Sequence, residues 1–217
     1  MKNNLHIDVS FDLICPWCLI GKISLEQAIS KISEQYPSVD VTVKWHGMQL
    51  LPDVPKNGLP FQTFYERRLG SPQAVSLRQQ QVNEAAAKVG LHIRFDRMKT
   101  FPNTAKAHAL LTYMSTFSGG EKIEQMLDRL FSGYFFLGED IGSDELLYEI
   151  AQAAGIGREM FDEWLERPES NVLMDGDLSQ VSGVPHYVFN QKIEMSGAQP
   201  PEQLFAVMQN LLESETQ

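Results

Sequence analysis

Cysteine is almost missing: the 217 residues contain two, Cys15 and Cys18, in one four-residue stretch. A crosslink closing so small a loop restrains the unfolded chain very little. With 43% hydrophobic residues the core needs no such staple. The pair is therefore there for reactivity or for metal. Basic residues are outnumbered, 18 Lys and Arg against 28 Asp and Glu, for a formal net charge of −10. That balance argues against nucleic acid and against anionic membranes, and it suits a solvated acidic surface. No apolar run is long enough to span a bilayer. Met1 to Asn4 lead straight into a strand-like alternation, with no basic segment, apolar segment or small-residue cleavage site. This predicts a cytoplasmic protein. A structural disulfide is unusual in that compartment, whereas a cycling one is not. Internal repeats and low-complexity tracts are also lacking.

What is present has a clear order. Leu5, Ile7, Val9 and Phe11 alternate with His6, Asp8, Ser10 and Asp12, a period-two strand. It runs into Cys15-Pro16-Trp17-Cys18, where proline suits the first turn of a helix. Leu25, Ile29 and Ile32 mark one face of that helix, which Pro37 stops. Val39, Val41, Val43 and Trp45 form a second alternation, so the first fifty residues read as a βαβ unit. Residues 50–60 look like a loop. From 61 to 171 the spacing is helical, with little strand. Its best stripe carries Ile123, Met126, Leu127, Leu130, Phe131, Tyr134 and Phe135. Ser143 reads as an N-cap and Gly155 as a helix end. Met126, Met160 and Met208 fall on apolar faces and read as core. Two short strands, 186–190 and 192–196, turn at Asn190-Gln191, and a last helix follows Pro200-Pro201. The fold class is α/β. A discontinuous domain of 1–60 and 172–217 carries a four-stranded sheet, and 61–171 is an all-helical insertion.

The start of a helix carries unpaired N–H groups and the positive end of its dipole. Cys15 sits just before that end, so its thiolate is favoured and its pKa lowered. The thiolate is the form that attacks a disulfide. Cys18, one turn inside, reaches the mixed disulfide and resolves it. A zinc site is the competing use, but structural zinc usually wants four ligands. No second cysteine pair exists, and His6, His46, His92, His108 and His186 are scattered, so no metal is expected.

Four stretches carry a likeness. They are Asp12-Leu13-Ile14-Cys15-Pro16-Trp17-Cys18 with Ile20-Gly21-Lys22; Pro102-Asn103-Thr104 with Ala107-His108; Phe135 through Gly138-Glu139-Asp140-Ile141; and Ser182-Gly183-Val184-Pro185 with Ser196-Gly197-Ala198-Gln199-Pro200. In these the chain resembles the DsbA-like branch of the thioredoxin superfamily, and most nearly its FrnE-like group. The resemblance implies a thioredoxin fold, with a mixed four-stranded sheet and a helical insertion between its second and third strands. It also implies a cis Val184–Pro185 peptide beside the cysteines, which would offer the Val184 backbone to an extended substrate. Cys15 and Cys18 are then catalytic, and Pro16, Trp17, Val184 and Pro185 form the active-site loop and substrate surface.

Three further residues have two readings each. Asp12 tunes the thiol or caps the turn. His186 stands where the family carries an aromatic residue, and either bonds Cys15 or points away as a strand residue. Asn103 borders the family's cleft or belongs to a helix N-cap. Trp17 brings no charge to a thiolate, which weighs against a very strong oxidant. The implied activity is thiol–disulfide exchange on protein or small-molecule substrates. No bound cofactor is implied beyond the Cys15–Cys18 disulfide, and glutathione is a candidate co-substrate. The alternative is a glutathione-dependent transferase of the kappa class or a 2-hydroxychromene-2-carboxylate isomerase; those carry serine at the place of Cys15. A non-catalytic peptide-binding module is a third reading. Direction, potential and oligomeric state, a dimer included, are left open.

Overall fold

A computed structural model describes residues 4–167 and 183–214. In chain order its elements are β1 (Asn4–Phe11), α1 (Pro16–Gln35), β2 (Asp40–Gly47), β3 (Leu59–Pro60), α2 (Phe61–Leu69), α3 (Pro72–Ala87), β4 (Thr100–Phe101), α4 (Ala105–Ser115), α5 (Gly120–Ser132), α6 (Asp144–Ala153), α7 (Arg158–Leu165), β5 (His186–Phe189), β6 (Ile193–Ser196) and α8 (Pro201–Ser214). The chain divides into two compact units, Met1–His46 with Gly176–Gln217 and Gly47–Asp175. Residues 47–60 group with the second unit because β3 pairs antiparallel with β4 there. The other boundary drawn from the sequence, 171/172, lies outside the described residues, as does Ser182.

The first unit is built on a mixed sheet of order β2-β1-β5-β6, the α/β architecture that the patterning predicts. Alternation along β1 sends Leu5, Ile7 and Val9 into the core, with Tyr187 and Phe189 from β5 on the same face. Leu25, Ala28 and Ile32 of α1 and Leu204, Met208, Leu211 and Leu212 of α8 close over them. The opposite face carries polar groups, among them His46, whose Nε2 stands 2.7 Å from Asp8 Oδ1. The three-residue connection between the paired Phe189 and Ile193 puts Asn190 and Gln191 at φ 46° and 56°, in the left-handed region. Asn190 also accepts a 2.7 Å hydrogen bond from the His6 N–H, tying the turn to β1.

In the second unit the long apolar stripe is split. α5 ends at Ser132, and Tyr134 and Phe135 continue it in a π-helical turn, Gly133–Leu137. The wider turn still buries both rings. It closes where the Glu139 N–H bonds the Gly133 carbonyl at 2.9 Å and where Arg129 grips Glu139. Met126 and Met208 are core, but Met160 is 47% exposed: the buried face of α7 is Phe161 and Trp164, and Met160 falls off it.

Ile7 is fully buried between the two helices and the sheet. Ile7→Ala is expected to lower unfolding free energy by about 2–5 kcal/mol, read from urea unfolding.

Candidate active site

After β1 the chain turns sharply: the Cys15 N–H donates to the Asp12 carbonyl at 3.1 Å. This makes Cys15 the N-cap residue of α1, with Pro16 in the first turn and no acidic residue there to oppose an anion. The Cys15 carbonyl accepts the first helical bonds, from the Cys18 N–H at 3.0 Å and the Leu19 N–H at 3.4 Å. Its side chain faces the backbone N–H groups of Trp17 and Cys18.

The two thiols are free and respond in opposite directions. Cys15 is pulled below an ordinary cysteine, first by a hydrogen bond from the Cys18 thiol, against the penalty of burial. The Trp17 and Cys18 N–H groups lower it further, and the Asp12 carboxylate raises it. Cys18 is pushed well above the ordinary value, first by burial and then by its bond to Cys15. The two thiols are thus unequal: the anion is easier to form on Cys15 and harder on Cys18.

Just before β5 the Val184–Pro185 peptide is cis. The Cys15 Sγ donates to the Val184 carbonyl at 3.8 Å, so this backbone lies against the reactive sulfur. The Pro185 carbonyl accepts from the Gly197 N–H at 2.7 Å, and Gly197 takes a φ of +81° that favours glycine. Gly21, one turn beyond Cys18, has no room for a side chain. A Cβ there would overlap the Tyr187 hydroxyl and stand 2.9 Å from Pro185 Cγ.

Asp12, Cys15, Pro16, Trp17, Cys18, Val184, Pro185 and His186 all fall in the first unit. Asp12 is fully buried, and Pro16, Trp17 and Val184 are half-buried. His186 points away from the thiols. It pairs with Ser10 across the sheet, on the polar face, and its Nδ1 lies 2.8 Å from Ser196 Oγ. Its Nε2 lies 3.5 Å from Glu194. Asn103 belongs to the second unit, where it ties a loop to α4: Oδ1 accepts from the Ala105 N–H at 2.9 Å and from Gln49 at 3.1 Å. Its amide donates to the Val54 carbonyl at 2.5 Å. The residue that sequence reading passes over is Tyr187. Strand alternation is its signal: two residues after Pro185, it shares the face that meets α1.

Comparison with known proteins shows the family of the chain. The model of the DSBA-like thioredoxin domain matches residues 6–209. The uncharacterized protein YwbO of Bacillus subtilis (strain 168) is 25% identical over 162 residues, 75% of this chain and 72% of its own. A probable DsbA oxidoreductase from Streptomyces coelicolor superposes with a TM-score of 0.79 at 27% identity, over 95% of this chain and 89% of its own. The cytosolic disulfide reductase DsbM from Pseudomonas aeruginosa, solved with GSH, gives 0.60 at 18%, over 96% and 99%. No helix among the described residues is long and apolar enough to cross a membrane.

Two titrations check the electrostatics. The pH midpoint for iodoacetamide labelling of Cys15 is expected below that of a free thiol, about 8.5. Asp12→Asn removes the charge opposing the thiolate, so the midpoint moves to still lower pH. An upward shift would reverse the assigned role of Asp12.

Proposed function

The chain belongs to the DSBA-like thioredoxin domain family, and on that premise we propose that it is a thiol–disulfide oxidoreductase with Cys15 as nucleophile and Cys18 as resolving thiol. The observation that carries this reading is the placement of Cys15 as N-cap of α1, its sulfur 3.8 Å from the Val184 carbonyl, with Cys18 one turn inside; the shifts of the two thiols in opposite directions support it. The Cys15 thiolate attacks one sulfur of a substrate disulfide, forming a mixed disulfide and releasing the first substrate thiolate. Cys18 then loses its proton and attacks Cys15 Sγ. The Cys15–Cys18 bond forms, the bond to substrate breaks, and the second substrate sulfur leaves with the electron pair and takes up a proton. The substrate disulfide is reduced and the dithiol oxidised; run backwards, the same steps oxidise a dithiol.

The cis Val184–Pro185 segment offers the backbone of Val184 to an extended peptide, with Pro16 and Trp17 as an apolar flank. Glutathione is the electron carrier we favour, in a cytoplasmic setting where a cycling pair works. The P. aeruginosa reductase, cytosolic and solved with GSH, supports both points. The four sequence stretches favour the FrnE-like group. Cys15 also speaks against the transferase and isomerase reading, whose enzymes carry serine there. Asp12 is the tuning residue. His186 and Asn103 hold local structure instead, as their hydrogen bonds suggest.

Cys15→Ser is expected to abolish insulin reduction with glutathione as the electron source, by at least about a hundredfold. Unchanged turnover removes the oxidoreductase. Conjugation of glutathione to an electrophile by the same variant would promote the transferase.

A further inference from the structure

Among the described residues, Tyr187 is the largest fully buried polar side chain of the first unit that the proposed exchange does not use. It is completely buried on β5, directly after Pro185 and His186. Across the sheet it faces Val9 and Met195, both apolar. Its hydroxyl has no hydrogen-bond partner among the described residues. A buried hydroxyl without a partner is costly, and such groups in native proteins call for a reason. The oxygen sits against α1 at Gly21, at a spot where any Cβ would collide with it. Gly21 follows Cys18 by three residues, so the two share one side of the helix. Both thiols act on the phenol electrostatically, Cys18 more than Cys15.

The Cys18 sulfur presents the complementary problem. It is more deeply buried than Cys15, and burial is the main force against its anion. Resolution of a mixed disulfide nonetheless requires that anion. The hydrogen bond it shares with Cys15 is then gone, because Cys15 is bonded to substrate. A neutral donor nearby would meet the need.

We propose that the Tyr187 hydroxyl is the donor that stabilises the Cys18 thiolate during resolution, the otherwise unpaired phenol being held over α1 for that step by the absence of a side chain at Gly21. The phenol keeps its proton throughout. Burial raises its own pKa, so it donates to a neighbouring anion without ionising. Cys18 gives up its proton and attacks Cys15 Sγ; the S–S bond forms, and the substrate sulfur leaves with the electron pair and is protonated. Tyr187 lowers the barrier by bonding to the charge before it transfers. The other ionisable groups nearby are Asp12 from the turn before α1, Cys15, and Lys22 on α1, buried and paired with Glu26. His186, on the opposite face, is engaged with Ser196 and Glu194.

The inference rests on the exchange reading above, and one trace separates their failures. The reduced protein is mixed rapidly with a chromogenic aromatic disulfide. The first release of chromophore reports attack by Cys15, and the second reports resolution by Cys18. Tyr187→Phe is expected to leave the first phase unchanged and to slow the second about tenfold, the equivalent of one pKa unit. The pH midpoint of the second phase moves upward by the same unit. The variant loses one unpaired buried oxygen, so its thermal midpoint is expected to hold or rise; a marked fall would give the hydroxyl a structural partner and overturn the inference. An unchanged second phase, or equal slowing of both phases, also overturns it while leaving the exchange reading intact. Absence of a first phase in the native protein overturns the exchange reading itself.

Discussion

The hydrogen bond between the Cys18 thiol and the Cys15 sulfur is the interaction on which the rest of this structure turns. It makes two chemically identical groups unequal: the acceptor becomes the easier anion and the donor the harder one. Much of the first unit serves that inequality. The turn at Asp12 sets Cys15 at the helix cap, and Pro16 starts the helix without needing a partner for its nitrogen. Bare backbone at Gly21 and the left-handed conformation of Gly197 let the Val184–Pro185 segment and Tyr187 come up against α1. The closely packed core of β1, β5, α1 and α8 keeps those parts in register.

The forces on Cys15 do not all run one way. The hydrogen bond and the backbone N–H groups favour its thiolate, while burial and the Asp12 carboxylate oppose it. The opposition has a use. Intrinsic nucleophilicity falls as a thiol becomes more acidic, so the best attacking thiol has a pKa near the ambient pH. A wholly favourable environment would give more anion but a weaker attacker and a better leaving group. In the exchange we propose, Asp12, buried and opposing the Cys15 anion, serves this balance.

The sheet and its helices were legible because period-two alternation in Leu5–Phe11 and 3.6-residue spacing in α1 and α8 follow directly from burial on one face. The Asn190-Gln191 turn was legible for the same kind of local reason. The β3–β4 pairing was not, since two-residue strands carry no periodicity and are defined by partners forty residues apart. The π turn at Gly133 was hidden too, because a stripe of apolar residues reads alike through an α- or a π-helical turn. At the site, Cys15 and Cys18 announced themselves by spacing and by the proline between them. The direction of His186 depended on which face of β5 it took, and alternation from Pro185 assigns Tyr187, not His186, to the helix side. The motif at Asn103 left two readings open, and its bonds to Gln49, Val54 and Ala105 tie a loop to the start of α4.

The most direct measurement of the inequality between the two thiols is covalent trapping. Cys18→Ser, incubated with oxidised glutathione and mapped by peptide mass spectrometry, should hold a glutathione mixed disulfide on Cys15. The native protein should discharge the same adduct to the Cys15–Cys18 disulfide. An adduct that forms as readily on Cys18 in Cys15→Ser, or one that persists on the native chain, would contradict the assignment of attacker and resolver.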